Sequence, residues 1–224
     1  MTKCGLLVNR NNFRLMDKPH VLVIITDGVS LRNFAYTAFY KKALKAGCRI
    51  TFWNGTPFKI ADLGYNTIPL KSAKLHPLTP VFKNARKHVE LNCFTKRKKD
   101  RVYLNYKFPW SYNGIKNRLR TYLSKFLIFI YNSEKGLVWL RQRTNALERK
   151  TAYYRTCLET LNKIKPDVVY NTSQRSVLSI APIEAAKALN IATVGFIFSW
   201  DNVPKSMLEV ITDQYHVWSK HMKA

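Results

Sequence analysis

Three short polar segments each come directly after an apolar run. They are Asp27-Gly28-Val29-Ser30, continued by Arg32 and Asn33; Asn171-Thr172-Ser173-Gln174-Arg175; and Ser199-Trp200-Asp201-Asn202. Together they offer carboxylates, guanidinium groups and amides, the set needed to accept a proton and hold an anion. Asp27 is the candidate general base, because a preceding strand would fix it at the mouth of a cleft. An aspartate in that place also caps helices, by accepting from a free N–H of the first turn. Both roles are open to it. The first two segments could also offer helix N-terminal amides to an anion, reinforced by Arg32 and Arg175.

Several other chemistries lack their residues. There is no GxGxxG, no phosphate-binding P-loop, no DxD pair for a metal-held sugar nucleotide and no GxSxG elbow. Cys4, Cys48, Cys93 and Cys157 are scattered, with no CxxC and no histidine at ligand spacing. They read as reduced thiols filling the core of a cytosolic protein. His20, His76, His88, His216 and His221 receive no catalytic role, and no metal or cofactor is expected.

The elements that must position the polar segments alternate between strand and helix. Val21–Thr26 is a β-branched run without polar alternation, the pattern of a strand covered on both faces. A helix over about 31–45, closed by Gly47, leads to a strand at Arg49–Asn54. The crossover of this βαβ unit should be right-handed. A weaker strand follows at Thr67–Leu70. Later come a strand at Asp167–Tyr170, a helix ending near Leu189 with Pro182 in its first turn, and strands at about 191–198 and 215–219. The expected fold is α/β, a Rossmann-like parallel sheet flanked by helices, with all three polar segments along its carboxyl edge.

A basic helical insertion is expected between these halves, at about 71–165. It should hold a short helix at Pro80–Leu91 in an otherwise irregular stretch that includes Lys96-Arg97-Lys98-Lys99. A helix at about Ile115–Tyr131 follows, then one long helix from Glu134 to Ile164. In the latter, Leu140, Leu147, Tyr154 and Leu161 recur every seven residues. Residues 1–19 are expected to form a leader without order. They lack a signal peptide's apolar stretch, and the longest apolar run, 126–131, is too short to span a bilayer.

Charge narrows the partners. The chain has 38 Lys and Arg against 13 Asp and Glu, a formal +25. That balance points to nucleic acid, a lipid headgroup surface or phosphorylated substrates, unless it merely reflects the source proteome. Lys116, Arg118, Arg120 and Lys125 share one helix with Ile115, Leu119, Leu123, Phe126, Leu127 and Ile130. This suits an anionic membrane surface, and equally a core helix with its lysines outward. Nucleic acid is not the expected partner, since no recognised motif accompanies the dispersed basic residues.

Thr26-Asp27-Gly28, Leu31-Arg32-Asn33, Asn171 to Arg175, Phe198 to Asn202 with Pro204, and Val217-Trp218-Ser219 carry a resemblance. Together they resemble the N-terminal half of bacterial UDP-glycosyltransferase-like proteins of the GT-B fold, over about residues 20–224. Related forms of the Ser-Trp-Asp-Asn turn occur in CDP-glycerol glycerophosphotransferase-like enzymes. The resemblance implies a Rossmann-like acceptor-side domain in the cytoplasm, peripheral at the inner face of the cell membrane. A second domain, missing from this chain, would hold a nucleotide-sugar donor, and the acceptor would be a glycan or a lipid-linked envelope molecule. It implies Asp27 as base and Gly28, Arg32, Asn33, Gln174 and Arg175 as acceptor or phosphate contacts. Ser199, Trp200, Asp201 and Asn202 would shape an interdomain cleft, and the chain alone would be inactive. A glycerophosphotransferase-like domain and a non-catalytic basic module bound to membrane or nucleic acid are the alternatives.

Overall fold

The computed structural model describes residues 18–71 and 73–222, so the expected leader lies outside the described residues apart from Lys18 and Pro19. Six strands form one all-parallel sheet: β1 (His20–Ile25), β2 (Arg49–Asn54), β3 (Thr67–Pro69), β4 (Val168–Asn171), β5 (Ala192–Ile197) and β6 (Gln214–Val217). Their order is β3-β2-β1-β4-β5-β6, the order of a Rossmann-like doubly wound sheet. Val21 of the central β1 is in register with Ile50 on one side and Val168 on the other. Alternate β1 side chains feed two cores. Leu22 and Ile24 join Trp53 and Val169 on one face, while Val23 and Ile25 join Ile50 and Phe52 on the other. Both faces are covered, as the unbroken apolar run predicts.

The helix expected over 31–45 is interrupted. Asp27 starts a three-residue α1 (Gly28–Ser30), which widens into a π turn at Leu31–Ala35 before α2 (Phe39–Lys45) begins. The wide turn seats Phe34 among Phe39, Tyr170 and Phe196, with ring centroids 5.0, 5.7 and 5.4 Å away. Thr37 marks the restart. Its hydroxyl donates to the Asn33 carbonyl at 2.9 Å and accepts from the Phe39 N–H at 3.2 Å. Gly47, at φ +84°, follows the end of α2 in the left-handed conformation expected of it.

The insertion is more regular than expected. Its first helix, α3 (Thr79–Lys98), runs twenty residues and carries Lys96-Arg97-Lys98 as its last turn. Next come α4 (Gly114–Tyr131) and α5 (Glu134–Glu148). Ala85, Val89, Cys93 and Leu140 form their shared core, with Phe82, Leu127, Ile128 and Trp139 packed on it.

The single long helix expected over 134–164 breaks after Glu148. Thr151 caps a new helix, α6 (Ala152–Ile164), by accepting from the Tyr154 N–H at 3.1 Å. The seven-residue repeat serves two separate cores. Leu140 packs with α3, whereas Tyr153, Cys157 and Leu161 pack on the sheet and on α7 (Ile180–Ala188). One straight stripe could not face both. Buried Glu148 secures the break, accepting from the His76 N–H at 3.1 Å and from the Thr79 hydroxyl. Thus α6 belongs to the sheet layer, and the insertion ends before it.

Candidate functional site

In a sheet of this order, the crevice opens where the strand order reverses, between the carboxyl ends of β1 and β4. Asp27 leaves β1 there. Its Oδ1 accepts from the Ser30 N–H at 2.8 Å, and its Oδ2 accepts from the Ser173 hydroxyl at 2.8 Å. Arg175 Nε stands 3.8 Å from the same Oδ2. Thr172 closes the floor by donating to the Ile24 carbonyl at 2.5 Å. The Arg175 guanidinium lies 5.0 Å from the Phe198 ring centroid at the end of β5. The first two polar segments therefore meet side chain to side chain, and Arg175 ties in the third.

These contacts set the charge of Asp27. Burial alone would raise its pKa, but the Ser30 amide, the Ser173 hydroxyl and Arg175 together outweigh burial and hold it below the usual carboxylate range. The carboxylate is ionised and caps α1, so the capping role read from its position is seen directly. Part of it remains open to the crevice, since its side chain is 26% exposed.

The remaining sequence-chosen residues divide. Gly28 is exposed with open space around it. Arg32 is also exposed and donates to the Asn33 side chain at 3.4 Å. Gln174 is fully buried and neither atom of its amide has a partner. Its backbone carbonyl accepts from the Glu209 N–H at 2.8 Å. The third segment closes on itself. Ser199 Oγ and Lys205 Nζ both donate to the Asp201 carboxylate at 2.5 Å, and these bonds, Lys205 foremost, hold Asp201 below its usual range. Asn202 is buried while Trp200 stands out in solvent.

The largest omission of the sequence reading lies on α3. Arg86 is 2% exposed and donates to Glu90 at 2.5 Å, to Glu209 at 2.9 Å and to the Ser206 carbonyl at 3.2 Å. Arg141 of α5 adds a 3.5 Å ion pair to Glu90. This buried network fastens the loop before β6 to the insertion, and through Glu209 it braces the backbone at Gln174 beside Arg175. The four-residue spacing of Arg86 and Glu90 is a sequence signal for a helical ion pair. It does not reveal Glu209, 123 residues away. Lys83 and Lys87, one turn apart on α3, reach the same region.

A larger cavity of about 300 Å³ lies elsewhere, between α2 and the amino-terminal ends of β1, β2 and β4. Val21, Phe39, Ala43, Ile50 and Val168 line it together with Lys42, Tyr170 and His216, and its wall is mainly apolar. Burial lowers His88 to about 4, helped by Lys107 and Lys87, and burial lowers His216 as well. Among the described residues no group of three His, Cys, Asp or Glu side chains is placed to hold a metal ion. No family model, curated protein or solved structure matches the chain.

Proposed function

We propose that this chain is the acceptor-side half of a glycosyltransferase that moves a sugar from a nucleotide-sugar to a cell-envelope acceptor. The observation that supports the reading is the cluster of Asp27, Ser173 and Arg175 at the β1/β4 switch point, bordered by the Ser199–Asn202 turn. In this reading the ionised Asp27 accepts the proton of the attacking hydroxyl, while Arg175 holds an anionic part of the acceptor. A second α/β unit binds the donor, and closure of the two excludes water from the transfer. Incubating the 224-residue chain with labelled UDP-sugars and CDP-glycerol tests this directly. No transfer is expected from the chain alone. Transfer by the isolated chain would overturn the half-enzyme reading, and incorporation only from CDP-glycerol in its source cells would shift it to a glycerophosphotransferase.

A separate observation favours a second role, as a module that sits on an anionic membrane surface. The helix α4 packs Leu127 and Ile128 inward yet leaves a second apolar stripe uncovered. Its polar Thr121 and Ser124 face inward, donating to the Ser111 carbonyl at 2.7 Å and the Val81 carbonyl at 3.2 Å. Ile115, Leu119, Tyr122, Phe126, Phe129 and Ile130 are left exposed. At about 100° per residue these six form one stripe. Arg118 and Lys125 run along one border of it, Lys116 and Arg120 along the other. Residues 101–133 contain six Lys and Arg and no Asp or Glu. An apolar stripe between cationic borders is the pattern of a helix lying in a lipid interface. Among the described residues no helix is long and apolar enough to cross a membrane.

A further inference from the structure

A cavity of about 130 Å³ opens on the insertion side of Arg175, walled by Lys83, Lys87, Arg175, Phe108 and Glu209. Three cationic side chains face it, and the carboxylates nearby are already engaged. Glu209 is held by Arg86 at 2.9 Å, with Lys83 at the edge of reach at 4.0 Å. Asp27 is held by Ser30, Ser173 and Arg175.

Lys87 is the informative member. It is 4% exposed as a residue, but its ammonium is not sealed off: it opens on the cavity, and among the described residues it forms no hydrogen bond or ion pair. Its close neighbour is the Phe108 ring, 3.3 Å from the centroid. Burial pushes its pKa down to about 8, partly offset by Glu209. An ammonium facing a cavity carries three N–H donors that an occupant of the cavity can take up. The complement that would satisfy them is a compact anion with several acceptor oxygens. The cavity has room for roughly four waters at about 30 Å³ each, the scale of one phosphoryl group.

We propose that this cavity is a phosphoryl-binding site in which Lys83, Lys87 and Arg175 hold the phosphate of a phosphorylated acceptor. The word acceptor rests on the transferase reading above; the anion site itself does not. Lys87 supplies cavity-facing donors, Lys83 a more open cation, and Arg175 joins the site to Asp27. Phe108 and Met207 keep the pocket narrow. The phosphate belongs either to a soluble sugar phosphate or to a lipid headgroup, which share the recognised group.

The test is binding, measured by calorimetry and thermal shift with inorganic phosphate, glucose 1-phosphate and short-chain phosphatidic acid. Chloride at matched ionic strength is the control. Wild-type protein should bind phosphate, and Lys87→Met should bind it about ten- to a hundred-fold more weakly, the equivalent of one lost charge-assisted hydrogen-bond set. Lys83→Met, altered at a more exposed position, should weaken binding less and guards against a folding defect in the first variant. Without ligand, Lys87→Met should melt no lower than wild type, because it removes a partly desolvated charge, whose pKa burial lowers. Preference for glucose 1-phosphate identifies a soluble acceptor, and preference for phosphatidic acid a lipid one. Equal phosphate binding by wild type and both variants, or an equal response to chloride, overturns the site. A lower melting temperature of ligand-free Lys87→Met also counts against it, since the charge would then be satisfied internally. Sugar transfer by the isolated chain alongside intact phosphate binding would overturn the half-enzyme reading only.

Discussion

Replacing both Phe126 and Phe129 by alanine isolates the membrane role of α4 from its folding role. The two rings are 60% and 86% exposed, so the folded packing scarcely uses them. Full burial of a phenylalanine side chain is worth about 1.5–3 kcal/mol. Scaling by the exposed fractions gives about 2–4 kcal/mol for the pair if the stripe sinks into the headgroup boundary. Each 1.4 kcal/mol is about tenfold, so the double variant should partition onto vesicles roughly thirty- to a thousand-fold less well. Flotation with phosphatidylglycerol-containing vesicles measures this, with pure phosphatidylcholine vesicles as the neutral control. The cationic borders contribute about 1 kcal/mol for each Lys or Arg near an anionic surface. Wild-type binding should therefore also fall as salt rises. The urea midpoint of the double variant should match wild type. Unchanged vesicle binding, equal binding to neutral vesicles, or a concentration-dependent dimer lost on mutation would refute the membrane argument.

Other expectations follow from single residues. Arg86→Met takes from buried Glu90 and Glu209 their nearest cation, leaving Arg141 at 3.5 Å and Lys83 at 4.0 Å, and should cost about 3–5 kcal/mol in urea unfolding; a loss below about 1 kcal/mol would show the network to be dispensable. Gly136→Ala would set a Cβ 2.1 Å from the Tyr131 carbonyl oxygen. The α4–α5 turn must then shift, with a lower melting temperature and a weakened near-ultraviolet signal from the Tyr131–Trp139 stack at 3.9 Å. His88 is lowered from 6.5 to about 4 in the folded state. The unfolded chain therefore takes up this proton first, and stability should be lost as pH falls from about 6.5 to about 4. His88→Phe should flatten that slope, and an unaltered slope would rule His88 out as its source. Asp27→Ala should cost about 0.5–2 kcal/mol as a lost cap, while Asp27→Asn should recover most of it. Because the folded-state pKa of Asp27 is depressed, its charge stabilises above the ordinary aspartate value and is lost as pH drops below it. Either variant should lack that acid-dependent component, and the wild-type acid profile in Asp27→Asn would contradict it.

The strands were legible because each is a continuous apolar run ending in a polar turn. Val21–Thr26 and Arg49–Asn54 appear within one residue of their expected bounds. Helix continuity was harder to read. The heptad of Leu140, Leu147, Tyr154 and Leu161 is a genuine periodicity, but nothing in its spacing says that its two halves pack on different cores. Only the cap at Thr151 marks the division, and a lone threonine between Lys150 and Ala152 is a weak stop. The π turn at Leu31–Ala35 was equally hidden, because its cause is Phe34 packing against Tyr170 and Phe196 from distant strands. At the candidate site, the order of the sheet makes the meeting of Asp27 with Arg175 foreseeable. Gln174 illustrates the opposite case. A glutamine in a polar turn reads as exposed, and here it is fully buried, with its backbone carbonyl bonded to the Glu209 N–H.

The insertion connects the two ligand-facing features of the molecule. On α3, Val81 receives the hydroxyl of Ser124 from the membrane-type helix, while Lys87 faces the cationic cavity. Six residues separate them, about 9 Å along the helix axis. Between them Ala85 packs in the insertion's core and Arg86 clamps the loop that braces Arg175. The apolar stripe and the cation cavity are therefore coupled through one packed helix, with no hinge needed to bring them near each other. A ligand with an apolar tail and a phosphorylated head is the chemistry that would use both at once. For a soluble phosphate, the stripe would add nothing to occupancy of the cavity. Comparing phosphatidic acid binding in Phe126→Ala/Phe129→Ala with glucose 1-phosphate binding in the same variant separates these cases. Loss of the first with retention of the second is the outcome expected of a lipid-linked acceptor, and parallel loss of both would show that α4 only supports the fold of the pocket.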